Sequence, residues 1–328
     1  MITNLAILDN VHRLLFNVPL QPIQGTRFQP TGFPDLGAAT YQAGDTDCLL
    51  VESAQSMANR LEQQVWDEAS QQLVAACQGL SYVRVNQDNN YLTSSLTESH
   101  RINSPYILEG KDRSFADQIA KDFDVLATGP IKRKVLAEIL FKYDANALIH
   151  GVFLAKKELA GGRLRVTRAL SAFIEAKQVA VAASGGVKND HVDPSGDTSK
   201  GFGNVPFHRE EFTAREIMAY FNLDLDQIRG YGLPKPATEL LILLSLFKIR
   251  SLLDGALRLR TACDLAVIPN YDFKAIAPVA FTLYSKAELE VAIQTKISEC
   301  AKANLFGSAN GITTVNYSAE AKKAKKSE

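Results

Sequence analysis

The sequence predicts an α+β fold in which helices pack on one sheet. Two observations support this class: strand-like apolar segments are interrupted by helical segments, and long insertions separate them. The chain has 328 residues, of which 46% are hydrophobic and 22% are charged, and these proportions are typical of a globular protein. No apolar run approaches the ~18 residues that a membrane-spanning helix needs, so we predict no membrane partner.

The first predicted element is an extended apolar strand over residues 13–23. A loop rich in glycine and proline follows over residues 24–41, and Arg27 is its one basic residue. Residues 47–77 contain a predicted helix for which Ser53 is a suitable N-cap. The apolar residues at helical spacing in this helix are Met57, Leu61 and Val65.

The middle of the chain is predicted to be mixed and mostly helical over residues 94–142, with the clearest helix at 129–143. Residues 146–155 form a continuous apolar run, which is typical of a strand covered on both faces. A second strand is predicted over residues 161–176, with Arg168 on its more apolar face. An unpaired charge there is costly, so Arg168 either forms a salt bridge at the sheet edge or contacts a bound anion.

Residues 183–212 contain five glycines and two prolines, and they predict a long loop that is functional or becomes ordered by a partner. A buried helix over 236–255 then leads into a strand over 256–268. The last predicted helix, residues 285–301, begins with a capping box. We predict one domain over residues 1–312, followed by a disordered lysine-rich tail over 313–328.

Charge and cysteine content exclude several classes of protein. The 36 basic residues equal the 36 acidic residues, which disfavours a general nucleic-acid binder that depends on a basic excess. The four cysteines are far apart and the five histidines show no metal-ligand spacing, so we predict buried reduced thiols and neither metal nor cofactor. The N-terminus lacks the features of a signal peptide. Together these features predict a cytoplasmic protein.

Motifs for catalysis are weak. The chain has no hydrolase motif, no P-loop lysine and no dinucleotide-binding glycine pattern after a strand. Residues 184–190, SGGVKND, resemble a phosphate loop in composition and leave open a small-molecule enzyme. His208 lies close to two glutamates and leaves open acid/base catalysis. Asp190, His191 and Asp193 leave open a metal site, although an exposed loop explains them equally well.

Arginines are the more informative residues, because they stand singly beside turns, helix starts and strands instead of in one block. A guanidinium group binds phosphate with two hydrogen bonds, so dispersed arginines can follow a nucleic-acid backbone without a large net charge. Pairing with some of the 36 carboxylates explains the same pattern. The arginines in question are Arg27, Arg60, Arg163, Arg165, Arg168, Arg209, Arg258 and Arg260.

Five stretches, taken in order over roughly Leu5 to Ile268, resemble a known family. They are QGTRFQPTGFPDLGAATY, CLLVESAQSMANRLE, RALSAFIEA, ASGGVKND…GNVPFHREEFTA and LRLRTACDL. Together they are similar to the RAMP-superfamily backbone subunit of type I-G (formerly I-U) CRISPR Cascade surveillance complexes. The resemblance implies a modified ferredoxin-like (RRM-like) palm, a helical finger insertion at about 66–145 and a long thumb loop at about 183–212.

Such subunits stack head to tail along the guide RNA (crRNA), and each thumb displaces one nucleotide. The resemblance therefore implies that the partners are crRNA, other copies of the chain, other Cascade subunits, and target DNA recognised through base pairing with the crRNA. It implies an RNA-binding subunit that performs no catalysis. The alternative is an endoribonuclease of the same superfamily that processes CRISPR precursor RNA, with His208 as the acid/base group.

The resemblance also implies which residues bind RNA. Arg27 would contact a guide phosphate from the loop after the first strand, and SAQSMANR would present the start of a helix to phosphate. Relatives carry a Lys-Arg pair after this motif, whereas here Ala58 and Asn59 hold those places and the arginine is displaced by one residue. Together with two arginines proposed from residue chemistry, the predicted RNA-binding residues are Arg27, Ser53, Gln55, Ser56, Arg60, Arg163, Arg168, Lys188, Lys200, His208 and Arg209.

Overall fold

The structure is a computed structural model that describes residues 5–33, 35–255 and 257–318. The helices in these residues are α1 (Ala54–Gln63), α2 (Pro105–Leu108), α3 (Ser114–Asp124), α4 (Arg133–Tyr143), α5 (Ala147–His150), α6 (Leu225–Arg229), α7 (Lys235–Asp254) and α8 (Lys286–Lys302). The strands are β1 (Arg13–Pro22), β2 (Gly32–Phe33), β3 (Gly37–Ala38), β4 (Thr40–Ala43), β5 (Thr46–Glu52), β6 (Trp66–Asp67), β7 (Gln72–Leu73), β8 (Tyr82–Gln87), β9 (Asn90–Ser94), β10 (Val152–Leu154), β11 (Leu164–Val166), β12 (Leu170–Lys188), β13 (Val205–Asp224), β14 (Leu257–Arg260), β15 (Cys263–Val267) and β16 (Ile312–Asn316).

A seven-stranded antiparallel sheet forms the centre of the molecule, in the order β14-β15-β1-β13-β12-β5-β4. Alternate residues of β1, β12 and β13 are buried on one face, and α1, α5 and α7 contact the sheet. On the opposite face the rings of Phe173 and Tyr220 stack with their centroids 5.0 Å apart. The predicted mixture of helices and sheet is therefore confirmed.

A smaller sheet lies within the segment that we predicted to be a helical insertion. Strand β8 pairs antiparallel with β9 and parallel with β16, which comes from the end of the described chain. The predicted helical finger insertion at about 66–145 therefore contains strands β6 to β9 as well as helices α2 to α4. The predicted tail also begins too early, because residues 313–316 belong to β16. Residues 319–328 lie outside the described residues.

Elements with strong local signals form as predicted. Strand β1 covers residues 13–22 of the predicted 13–23, and the Ser53 hydroxyl caps α1 by accepting from the backbone N–H of Ser56 at 3.2 Å. Helix α7 spans the predicted buried segment. At the start of α8 the side chains of Ser285 and Glu288 form the predicted capping box. The four cysteines are buried and free.

One predicted strand is wrong over most of its length, and a turn divides another. The apolar run at 146–155 contains the short helix α5, and only Val152–Leu154 is a strand. Gly151 lies between them with φ of 81° and ψ of 158°, a backbone conformation that favours glycine. The predicted strand at 256–268 is a hairpin, because the chain reverses between β14 and β15 at Ala262, whose φ is 58°.

The predicted loop at 183–212 is largely a two-stranded arm. Strands β12 and β13 pair without interruption of register from Leu170 opposite Leu223 to Lys188 opposite Val205. The pairing of β12 with β5 ends at Lys177, and most residues beyond it are exposed. We call residues 178–215 the arm. The long-loop prediction was correct only for residues 189–204, which connect the two strands.

No helix within the described ranges is both long and apolar enough to cross a lipid bilayer.

A buried polar cluster lies beneath the sheet, between α4, α5 and α7. The Lys248 ammonium is fully buried and contacts Nε2 of His150 at 2.7 Å and the side-chain oxygen of Asn146. Burial lowers the pKa of Lys248 to about 8. Burial also raises the pKa of the nearby Asp144 carboxyl to about 7, against the opposing charge of Arg101.

Asp144 predicts a pH dependence of stability. Because its pKa is higher in the folded chain than its ordinary value of 3.8, the folded state holds a proton that the unfolded state releases between pH 4 and 7. The protonated Asp144 therefore causes no loss of stability at low pH, and the folded state becomes less stable as the pH rises from 4 to 7. We expect the unfolding free energy of the wild type relative to Asp144→Asn to fall by up to about 4 kcal/mol across this range.

Urea unfolding of both proteins between pH 4.5 and 7.5 measures this difference. The comparison with Asp144→Asn is needed because burial and the neighbouring Lys248 charge lower the pKa of His150, and this histidine contributes the opposite slope in the same pH range. Parallel stability curves for the two proteins would contradict the prediction.

Candidate nucleic-acid interface

The predicted RNA-binding residues occupy separate places, and the first is the start of α1. Ser53 caps the helix, and the Gln55 side chain accepts a hydrogen bond from a terminal nitrogen of Arg168 at 2.9 Å. A second terminal nitrogen of Arg168 donates to the Ala54 carbonyl at 3.2 Å. Arg168 therefore reaches from the end of β11 to the first turn of α1. The sequence suggested either a salt bridge or a bound anion for Arg168, and the structure shows hydrogen bonds to helix α1.

The next two predicted residues, Ser56 and Arg60, face inward to one buried carboxylate. Glu52 is 1% exposed, and its side chain accepts from the Ser56 hydroxyl and from Nε of Arg60, the latter at 3.1 Å. Arg260 forms a second ion pair with Glu52. Arg60 also donates to the carbonyl of Leu259 at 2.6 Å. This arrangement joins α1 to β14, and burial lowers the pKa of both Arg60 and Arg260.

A second site lies at the root of the arm, where two predicted arginines share one carboxylate. Glu211 on β13 forms ion pairs with Arg27 at 3.6 Å and with Arg209 at 2.7 Å. The Glu211 side chain is 6% exposed, whereas that of Arg27 is 55% exposed. Two arginines share this carboxylate, and the guanidinium of Arg27, the more exposed of the two, can also contact an anion.

The loop that carries Arg27 is fixed to the sheet by its backbone. Phe28 and Phe212 exchange two backbone hydrogen bonds of 2.9 Å, and the Gln29 carbonyl accepts from Arg260 at 3.0 Å. The Gln29 side chain accepts from Arg209 at 3.3 Å. A continuous polar chain therefore connects the root of the arm, through the loop and Arg260, to Glu52 at the start of α1.

The third group lies along the arm. Lys188 ends β12, and Lys200 is exposed near the tip with an ion pair of 3.6 Å to Asp197. His208 lies opposite Gly185 on the exposed part of β13. Side chains alternate along a strand, so His208 projects from the opposite face of the arm to Arg209. The predicted RNA-binding residues of the arm therefore lie on both of its faces.

The arm also tests the phosphate-loop interpretation of residues 184–190. Residues 184–188 are extended strand, and no α-helix starts in the described residues between this strand and β13, so this interpretation is wrong. Asp190 accepts hydrogen bonds from the backbone N–H groups of Val192, Asp193 and Gly203, and these bonds lower its pKa. Asp190 therefore organises the tip. In the part of the chain that the structure describes, no group of three or more metal-ligating side chains is found.

Arg163 lies apart from the other predicted residues. Its guanidinium donates to the carbonyls of Leu126 at 2.6 Å and Gly129 at 3.0 Å, so it fixes the segment before α4. Sequence reasoning missed the two carboxylates that organise the site, Glu52 and Glu211. Each carboxylate has one arginine partner nearby in the sequence, Arg60 or Arg209, but its second partner, Arg260 or Arg27, is distant, so the sequence does not show that the carboxylate is shared.

The comparison with protein families decides the affiliation of the chain. A family model described as CRISPR-associated protein GSU0053 matches residues 14–181, just over half of the chain. The chain belongs to this CRISPR-associated family. The matched region runs from β1 to the first part of the arm, and it contains the start of α1, Glu52 and Arg168. No match is found among curated proteins.

Solved structures give weaker likenesses to this CRISPR-associated chain. One, described as "CRISPR RNA-guided surveillance complex, pre-nicking", has a TM-score of 0.40 and 14% identity, over 89% of this chain and 86% of that chain. The crystal structure of Thermofilum pendens Csc2 has a TM-score of 0.32 and 9% identity, over 93% of this chain and 84% of that chain. Both TM-scores are below 0.5, and both identities are too low to transfer a function.

Proposed function

We propose that this member of the CRISPR-associated GSU0053 family is a crRNA-binding backbone subunit of a type I-G Cascade-type complex. In this proposal it binds the guide RNA without cutting it, in the cytoplasm, and supports target DNA recognition through base pairing of the crRNA. The observation that carries the proposal is the root of the arm, where Arg27 and Arg209 share the buried Glu211. That arrangement presents an exposed guanidinium beside a projecting two-stranded arm.

The order of four central strands supports a ferredoxin-like palm. Strands β15-β1-β13-β12 are neighbours and antiparallel. Helix α1 lies between β1 and β12 in sequence, and α7 lies between β13 and β15. In this order the chain follows a β-α-β-β-α-β path, which is that of the ferredoxin-like fold. The arm is then an extension of the central hairpin and corresponds to the predicted thumb.

The arm also supports contact with a neighbouring copy in a head-to-tail filament. Its outer part exposes several large apolar side chains, although exposed apolar groups normally stay scattered on a monomer. These are Val187 (53% exposed), Val192 (95%), Phe202 (53%) and Phe207 (50%). Burying them against a second copy or another Cascade subunit would stabilise the assembly, and the neutral net charge of the chain does not oppose self-association.

The endoribonuclease alternative depends on His208. This residue is exposed and projects from the face of the arm opposite to Arg209, whereas a general acid/base needs a nucleophile and a stabilising group within hydrogen-bond reach. The proposal therefore assigns no catalytic residue. Incubation with CRISPR repeat RNA distinguishes the two functions, since specific cleavage that is lost in His208→Ala would support the enzyme.

Arg27→Ala tests the RNA site. We expect it to weaken single-stranded RNA binding about tenfold, because one charge-assisted hydrogen bond to phosphate contributes roughly 1.5–3 kcal/mol. The slope of log affinity against log salt should fall by about 0.7. Stability should hardly change, since Arg209 still pairs with Glu211 at 2.7 Å. Fluorescence anisotropy at several salt concentrations measures both effects.

Arg113→Ala is the matched control for this measurement. Arg113 is 45% exposed, has an ion pair of 3.6 Å to Asp117 and donates to the Leu108 carbonyl at 2.8 Å. It resembles Arg27 in exposure and in ion-pair distance but lies at the start of α3. RNA affinity that is equally unaffected in both variants would refute the role of Arg27.

A further inference from the structure

The hairpin of β10 and β11 carries an aromatic residue directly opposite an arginine. Phe153 and Arg165 are Cα partners in the antiparallel pair. Phe153 is 57% exposed, and Arg165 is exposed and forms no ion pair with any described residue. Their neighbours Val152, Leu154 and Leu164 are buried, so the hairpin is anchored while these two side chains project from it.

On one side of this hairpin lies a pocket of about 430 Å³ with a strongly basic wall. Arg101, Arg165 and Arg168 line it together with His150 and Phe153, and no carboxylate is among its lining residues. Glu62 lies behind the wall and pairs with Arg101 at 2.7 Å. Three guanidinium groups against one carboxylate leave an excess of positive charge, which favours an anion in the pocket.

Two donors in the pocket wall have no hydrogen-bond partner among the described residues: Nε of Arg168 and Nδ1 of His150. Nε2 of His150 contacts the Lys248 ammonium and must accept from it, so Nδ1 carries the hydrogen. Burial and the Lys248 charge keep the pKa of His150 well below its usual range. These donors are buried, so a bound oxygen would contact the exposed guanidinium groups first, and the unpaired N–H dipoles behind them would favour an anion.

On the other side of the hairpin lies a larger groove of about 940 Å³, which Phe153 and Arg165 also line. Arg13 and Arg133 line it as well. Its carboxylates are already paired: Asp224 contacts Arg13 at 2.9 Å, and Asp226 contacts Arg229 at 2.9 Å and His12 at 2.6 Å. Phe153 and Arg165 therefore form a ridge between two concave surfaces that are both lined by arginine.

This combination suits single-stranded nucleic acid, whose binding sites pair a cationic path for the backbone with an aromatic platform for the bases. We propose that a single-stranded RNA segment crosses the β10–β11 hairpin, with one base stacked on Phe153 and an adjacent phosphate in the pocket of Arg101, Arg165 and Arg168. The inference rests on the proposed function for the identity of the ligand. The proposed contact surface is separate from the arm. Arg168 connects it to the start of α1 through hydrogen bonds to Ala54 and Gln55.

Phe153→Ala and Arg165→Ala test the two halves of the site, and both residues are exposed, so the variants should fold. Loss of one stacked base should weaken RNA binding by about fivefold to a hundredfold without changing the salt slope, because phenylalanine is neutral. Arg165→Ala should weaken binding about tenfold and reduce the slope by about 0.7. With RNA that contains 2-aminopurine, the wild type should quench the fluorescence of one base, and Phe153→Ala should not.

Val291→Ala and Arg113→Ala serve as controls, since Val291 is 66% exposed on α8 and Arg113 is described above. If the wild type binds RNA and both hairpin variants bind it equally well, this inference is wrong while the proposed function stands. If the wild type binds no RNA, the proposed function and this inference both fail. A third outcome would overturn the RNA path. If inorganic phosphate or adenosine monophosphate stabilises the wild type against heat, Arg165→Ala abolishes this effect, and RNA does not bind at the hairpin, then the pocket binds free phosphate compounds.

Discussion

Replacement of residues 185–208 by Asn-Gly is expected to abolish multi-copy assembly on RNA while the chain remains folded. Ser184 and Arg209 are opposite each other in the arm, so a two-residue turn can join them. The truncation keeps Arg27, Arg209 and Glu211, and therefore keeps the first RNA contact. It removes the exposed apolar side chains of the outer arm, each of which can contribute roughly 1.5–3 kcal/mol when it is buried.

We expect the affinity between adjacent copies on RNA to fall by at least about a hundredfold, which corresponds to about 3 kcal/mol. Sedimentation velocity with a long single-stranded RNA measures this loss, and circular dichroism checks the fold. A second variant keeps the arm and replaces Val192, Phe202 and Phe207 by serine, and it should lose assembly in the same way. Multi-copy complexes formed by the truncated chain would show that the arm does not join the copies.

Glu52→Gln is expected to lower the free energy of unfolding by about 3 kcal/mol. Removing one partner from a buried ion pair typically costs 3–5 kcal/mol, because the remaining charge is left unpaired. Here two arginines would be affected, although their side chains are 25% and 22% exposed and can gain some hydration. Arg260 also donates to the carbonyls of Gln29 and Val51, so the loop that carries Arg27 should loosen as well.

Urea denaturation measures the effect, with Glu216→Gln as the matched control. Glu216 pairs with Lys177 at 2.9 Å, but both side chains are more than 40% exposed, and such surface pairs contribute at most about 1 kcal/mol. Equal unfolding midpoints for the two variants would mean that Glu52 does not stabilise the junction of α1 with β14.

Local signals explain which elements the sequence predicts. Ser53 as an N-cap and the capping box of α8 depend on residues within one helical turn, and both form as expected. The apolar run at 146–155 failed because a short apolar segment does not distinguish a helix from a strand. The turn at Ala262 was missed because alanine, unlike glycine, gives no signal for positive φ.

The arm was missed for a different reason. Strand β12 is rich in glycine, alanine and serine within the arm, and β13 carries several charged residues there. Both strands are exposed on much of both faces, so they lack the alternation of apolar and polar residues that identifies a half-buried strand. Pairing between β12 and β13 stabilises them instead. In the candidate site, the role of Arg60 was equally hidden, because Arg260, which shares its carboxylate, lies 200 residues later. Phe153 was concealed in an apolar run, although it is one of the more exposed residues there.

Native mass spectrometry of the full chain with single-stranded RNAs of graded length tests the central claim most directly. If the protein is a guide-RNA-binding backbone subunit, the number of copies per RNA should rise by one at regular increments of length, and every RNA should remain intact. A constant single copy at all lengths, or cleavage of the RNA, would contradict the account.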